Sequence, residues 1–299
     1  MKNPFAFCVV LGVALVSAAQ AAWQYHLPST GLMPSAAAYS YLAPAGERHH
    51  GEDSLGLQAA ELTIPFADPR RSNIDDWYIN AALDMEFHHL SGVHALALNE
   101  PNLYAFTLPL SFIHPMERGH RLILTAAPHL ATDFNAPSRS FGMGGYAVYR
   151  FLATETLEAS AGFACMPNET YWWFVPIAAF DWKPTEDWRV ALRGYRLQAM
   201  RELGRGLSAG AFVRGVGGSW AVHGDDGTHL LRVRSVIAGG RAEWDFAKEG
   251  QTKRILFADA GFSFFTMAEK MRFSDKRHAT EIHHYHPAPY VSFGADFRF

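Results

Sequence analysis

The chain has 299 residues, 49% of them hydrophobic and 18% charged, with 26 Lys+Arg against 29 Asp+Glu. An apolar share of that size supports a folded body and excludes collagen-like, coiled-coil and low-complexity classes. A formal net charge of −3 supplies no basic field for gripping phosphates, so no nucleic-acid partner is expected.

Residues 1–21 read as a secretory signal peptide. Lys2 precedes an apolar run from Phe5 to Val16, and small residues end in Ala19-Gln20-Ala21, with cleavage expected after Ala21. The run is too short and wrongly flanked for a stop-transfer helix. Cleavage removes Cys8 and leaves Cys165 as the one remaining cysteine, which excludes an intramolecular disulfide, CxxC redox chemistry and a cysteine-based zinc site. Residues 22–53, rich in Ala, Pro, Ser and Tyr, read as an N-terminal irregular segment. No later stretch approaches the roughly 20 continuous apolar residues of a spanning helix. A membrane-crossing chain of this kind must therefore cross as a closed barrel, in which strands satisfy every backbone group.

Period-two alternation supports that reading. After a weaker segment at 54–65, Trp77, Ile79, Ala81, Leu83, Met85 and Phe87 alternate with Tyr78, Asn80, Ala82, Asp84, Glu86 and His88, a run longer than the strands of most soluble sheets. The pattern recurs over 104–112, 122–130, 141–151, 157–165, 207–213 and 256–264, with weaker segments at 171–182, 187–197, 229–246 and 288–299. Turn signals such as Asp68-Pro69, Lys183-Pro184, Gly204-Arg205-Gly206 and Asp226-Gly227 fall between the runs. Residues 54–299 are thus predicted to form an all-β, closed antiparallel transmembrane β-barrel of about 12 strands. At Gly239-Gly240 an outward set of Leu231, Val233, Ser235 and Ile237 gives way to Ala242, Trp244 and Phe246, which predicts a bulge. Pro176 falls inside a strand pattern, where it removes a ladder hydrogen bond.

The last strand alternates Val291, Phe293, Ala295, Phe297 and Phe299 with Ser292, Gly294, Asp296 and Arg298. This ending resembles the recognition strand that the assembly machinery of bacterial outer-membrane barrels reads. The stretch from Phe174 to Leu197, the strand from Arg232 to Phe246 and the YVSFGADFRF ending together resemble a family of bacterial outer-membrane β-barrels known as a domain of unknown function. The resemblance implies an outer-membrane location, contact with outer-membrane lipids and delivery to the barrel assembly machinery through Phe299, and the positive charge of the connection near 267–287 offers contact with lipopolysaccharide phosphates. The resemblance implies no reaction and no cofactor, and leaves oligomeric state open.

If polar faces point inward, the lumen holds Asp84, Glu86, Glu158, Asp259 and Asp296 beside Arg121, Arg150, Arg193, Arg232, Arg234 and Arg298. Two readings follow. The charges pair across the lumen and brace a non-conducting wall, or they line a narrow channel for small polar or anionic solutes, with Arg232 and Arg234 at the constriction. A basic, His-rich connection near 267–287 offers His283, His284 and His286 as weak metal candidates. The competing enzyme reading, a lipid- or peptide-hydrolysing barrel, finds no G-x-S-x-G and no H-E-x-x-H signature.

Overall fold

The structure, a computed structural model, describes residues 35–48, 54–66, 73–74, 77–92, 96–135, 140–168, 171–224, 227–247, 253–272 and 281–297. The expected signal peptide, residues 273–280 of the His-rich connection, Arg298 and Phe299 lie outside them.

Strands follow one another along the chain: β1 (Ser35–Gly46), β2 (Ser54–Pro65), β3 (Asn73–Ile74), β4 (Trp77–Ser91), β5 (Asn102–Thr107), β6 (Leu110–Pro115), β7 (Arg121–Thr132), β8 (Phe141–Thr154), β9 (Leu157–Asn168), β10 (Tyr171–Trp182), β11 (Trp188–Arg193), β12 (Arg196–Gly204), β13 (Leu207–Gly224), β14 (Gly227–Asp245), β15 (Arg254–Arg272), β16 (Glu281–Tyr285) and β17 (Pro289–Phe297). Neighbours in sequence pair antiparallel, and β1 pairs with β17 from Ser35↔Phe297 to Leu42↔Tyr290, which closes the sheet into a ring. Two staves are built in pieces. β5 and β6 both lie between β4 and β7 and are separated at Pro109, which has no N–H to give the ladder. β16 and β17 both pair with β15, and the two-residue β3 only prolongs the hairpin to β4. Among the described residues the ring therefore has fourteen staves.

Fourteen exceeds the predicted twelve for two local reasons. β1 lies in the segment read as irregular, where Ala36, Ala38 and Ser40 alternate with Ala37, Tyr39 and Tyr41, a pattern with little hydrophobic contrast. The segment 187–197, read as one strand, enters a hairpin: β11 turns at Gly194-Tyr195 into β12, with Arg193 facing Arg196. Gly194 has φ +56°, a left-handed conformation that glycine adopts without a Cβ penalty.

The two faces of the wall exchange character along the axis. Near the end that holds Ser35 and Phe297, the outer face carries Leu62, Ile64, Trp244, Leu256, Phe262 and Phe293, all exposed, and the inner face is polar. That is the arrangement of a barrel in lipid. β13, β14 and β15 continue for 18, 19 and 19 residues, about twice the roughly 10 needed to cross hydrocarbon. Toward the far end their inner face turns apolar: Trp220, Leu231, Val233 and Ile237 pack, fully buried, with Leu42, Leu55, Leu57, Leu90, Leu96 and Leu103. Each such side chain contributes about 1.5–3 kcal/mol. The outer face there bears Gln58, His89, Asn102, Arg232, Arg234 and Glu269, placed by register. This part is built like a soluble protein, oily inside and polar outside.

The predicted phase change at Gly239-Gly240 does not occur. Odd-numbered residues of β14 face inward throughout, from Leu231 to Asp245. The register shift lies instead between Val236↔Phe265 and Ile237↔Ser263, which leaves Phe264 as an extra residue on β15. Phe264 and Phe265 are consecutively exposed as a result. Leu231, Val233, Ser235 and Ile237 are inward residues, because the interior rather than the strand changes chemistry.

The β11–β12 hairpin reaches only part of the wall's height. β10 pairs with β11 through Phe180, Asp181 and Trp182 alone, and β12 pairs with β13 no farther than Arg214. Pro176 thus sits where β10 has β9 on one side and no registered partner on the other, a position that proline tolerates. Beyond Gly215, β13 parts from β12 and stays paired with β14. Gly217 has φ +124°, and a Cβ there would come within 2.0 Å of the Val233 carbonyl oxygen. The strand end then runs parallel to β7 at Ala221↔Thr132, so the oil-filled part closes around nine staves, leaving out β8 to β12.

Candidate site within the barrel

Charged side chains in the polar part are gathered into two clusters. Asp181 of β10 accepts hydrogen bonds from Arg189 and Arg193 of β11, inward residues two positions to either side of Ala191, its partner in register. Asp259 of β15, its carboxylate fully shielded, accepts from Arg196 at 3.2 and 3.3 Å and from Arg241 at 3.1 and 3.2 Å. Phe212 and Phe257 support these guanidinium groups, Arg196 lying 4.7 Å and Arg241 4.0 Å from the ring centres. Arg150 pairs with Glu158, and Arg241 also with Glu243. A charge in a confined interior is costly unless paired, and each of these side chains has an opposite charge in contact.

Arg214 is held more loosely. It lies 3.9 Å from Glu61 and 3.9 Å from Asp259, beyond hydrogen-bond reach, with its guanidinium 5.6 Å from the Tyr290 ring centre. It lines a cavity bounded by Glu61, Glu86, His88, Tyr195 and Tyr290, with Leu42 and Leu57 of the oily core along its edge. His88 shares a hydrogen bond with Glu86, Nε2 to Oε2, at 3.0 Å, and its ring meets the edge of Trp220 at 4.8 Å. Trp220, whose ring His88 meets, belongs to the oily core with Leu231 and Val233.

The sequence-derived lumen candidates divide accordingly. Asp84, Glu86, Arg121, Arg150, Glu158, Arg193, Asp259 and Asp296 all fall on the inner face by register. Arg150 and Glu158 meet, Arg193 and Asp259 join the two clusters, and Glu86 lines the cavity. Arg232 and Arg234 do not form a constriction. They stand on the outer face beyond the apolar belt, where Arg232 contacts Glu269 at 3.1 Å and Arg234 the same carboxylate at 3.8 Å. Their inward neighbours in this zone are Leu231, Val233 and Ser235.

The three histidines diverge. His283 Nδ1 lies 3.0 Å from Glu47 Oε1, the His284 ring lies 5.8 Å from Phe265, and His286 donates its amide to the Gly46 carbonyl. Among the described residues no three His, Cys, Asp or Glu side chains gather as a metal site. Residues that matter and were not among the candidates are Glu61, Asp181, Arg189, Arg196, Arg214 and Arg241. The usable signal was the tetrapeptide Arg193-Gly194-Tyr195-Arg196: read as a turn, it puts Arg189, Arg193 and Arg196 on one face.

The class this architecture defines is the closed antiparallel β-barrel of membrane type. No protein-family model matches the chain, so its resemblance to a family of unknown function stands on the residues quoted for it, and no curated protein matches either. Among solved structures it is similar to the toluene transporter TodX of Pseudomonas putida, with 9% identity, 96% of this chain and 93% of that one covered, and a TM-score of 0.33. It is also similar to the TodX monoaromatic hydrocarbon channel in its ΔS2 mutant form, with 10% identity, 89% and 90% covered, and a TM-score of 0.34.

Proposed function

We propose that this is an outer-membrane β-barrel holding a narrow passage for small polar or anionic solutes, closed at its outer end by the oily core. The observation that supports this is the change along the inner face of β14, from Arg241 and Glu243 to Leu231, Val233 and Ile237. Solvent reaches Asp181, Arg189 and Glu158, with side-chain exposures of 20%, 29% and 28%. The charged part is therefore a vestibule and the apolar part a plug. With the chain ends in the periplasm, the vestibule faces inward and the plug faces the medium. Lipid meets the aromatic belt, lipopolysaccharide meets the polar outer rim, and the C-terminal sequence that includes Phe299 is the segment offered to the assembly machinery.

Conductance across planar bilayers tests this reading. The native protein is expected to show no steady conductance, and Trp220→Ala combined with Leu231→Ala to show stepwise openings. Steady conductance of the native protein overturns the plug. A folded double variant that stays silent overturns the passage and leaves a bracing, non-conducting barrel.

A further inference from the structure

The cavity between plug and arginine clusters has an unusual balance of charge. Arg214 brings one guanidinium whose ion pairs are both 3.9 Å long and whose buried Nε has no hydrogen-bond partner. Two carboxylates line the same cavity: Glu61, one of those 3.9 Å partners, and its cross-strand neighbour Glu86. His88, 3% exposed, spends Nε2 on Glu86 and leaves its buried Nδ1 unpartnered. With Nε2 carrying the proton given to Glu86, Nδ1 is an acceptor. The cavity therefore holds an unmatched donor on the positive Arg214 and an unmatched acceptor on His88 beside the Glu86 carboxylate. Unsatisfied polar atoms in a buried cavity cost about 1–3 kcal/mol each, and a guest that satisfies both recovers that.

A simple anion meets Glu61 and Glu86 unfavourably, and a simple cation meets Arg214 unfavourably. We propose that this cavity binds a small zwitterion, a solute with an ammonium and a carboxylate a few ångström apart, its carboxylate on Arg214 and its ammonium on Glu86 and His88. The proposal rests on the passage reading and names its solute class. Arg196 and Arg241 both donate to Asp259, so Arg214, which makes no such hydrogen bond, is the guanidinium offered to the guest.

Titration calorimetry of the full-length protein in detergent, with glycine, acetate and methylammonium as probes, tests it. Glycine is expected to bind saturably, and each half-molecule at least about tenfold more weakly. Arg214→Gln is expected to abolish glycine binding, whereas Arg232→Gln on the outer face leaves it intact. Glu86→Gln, a milder change, is expected to weaken glycine about tenfold or more while acetate holds or tightens. Acetate binding as well as glycine, no glycine binding by the native protein, or unchanged binding by Glu86→Gln each overturns the proposal. Heat-dependent gel migration verifies that each variant is folded. Because no membrane is involved, failure here is distinguishable from failure of the conductance test.

Discussion

Asp133, just past the end of β7, accepts the backbone N–H of His223 at 2.7 Å, although the two residues are 90 positions apart. Its other oxygen takes the Asn135 amide at 2.8 Å, and its own amide donates to the Ala221 carbonyl. One carboxylate thereby fastens the inward-swung end of β13 to the opposite side of the ring. Asp133→Ala leaves buried amides unmet at a cost of about 1–3 kcal/mol. The expected outcome is faster amide hydrogen exchange over residues 219–224, with β8 to β12 unchanged. Uniform loss of protection throughout the barrel would contradict this local role.

Asp259 holds Arg196 and Arg241 in the polar part of the barrel. Removing one partner of a buried ionic cluster costs about 3–5 kcal/mol, because the remaining charges stay buried. Asp259→Asn is therefore expected to lower the guanidinium unfolding midpoint markedly, followed by tryptophan fluorescence in detergent. Arg234→Gln, on the outer face, is expected to shift it by less than about 1 kcal/mol.

Phe262 and Ile282 are both exposed apolar residues on the outer face, yet they occupy different zones. Phe262 lies in the belt, whereas Ile282 faces Glu269 across the β15–β16 pair, level with the Arg232 contact. Phe262→Arg is expected to cost about 2–4 kcal/mol of folding into lipid vesicles, and Ile282→Arg about 1 kcal/mol or less. Equal penalties at the two positions would show that the belt extends to β16.

β1 supplies both edges of the closure, to β2 and to β17. A chain lacking residues 35–46 presents two open strand edges, which hydrocarbon cannot satisfy. Such a deletion is expected to abolish the heat-resistant folded band on gels. A compact band of unchanged mobility would indicate that β2 and β17 can pair directly.

The barrel was legible in the sequence where alternation coincided with contrast. Residues 77–88 divide into inner and outer sets as their pattern indicates, because Ile79, Leu83 and Phe87 differ sharply from Asn80, Asp84 and Glu86. β1 was not legible, since alanine and serine fit either face. The set Leu231, Val233, Ser235 and Ile237 was placed outward for a different reason. Hydropathy identifies which residues share a side, but it names that side only if lipid lies outside it, and along Leu231, Val233 and Ile237 it does not. Arg232 and Arg234 were misplaced by the same assumption. Asp181 and Asp259 could be placed inward from pattern, but their arginine partners arrive from strands 8 to 63 residues away, a relationship that only closure of the ring creates.

The exchange of faces along β13 to β15 also fixes how far the molecule can sink. A polar-coated head carrying Arg232, Arg234 and Glu269 resists entry into hydrocarbon, while the greasy girdle beneath it resists leaving. The two together act as a flange on a rivet. Vertical seating is therefore written into the same three strands that carry the oily core, and a change that widened the girdle upward would drag that core into the bilayer.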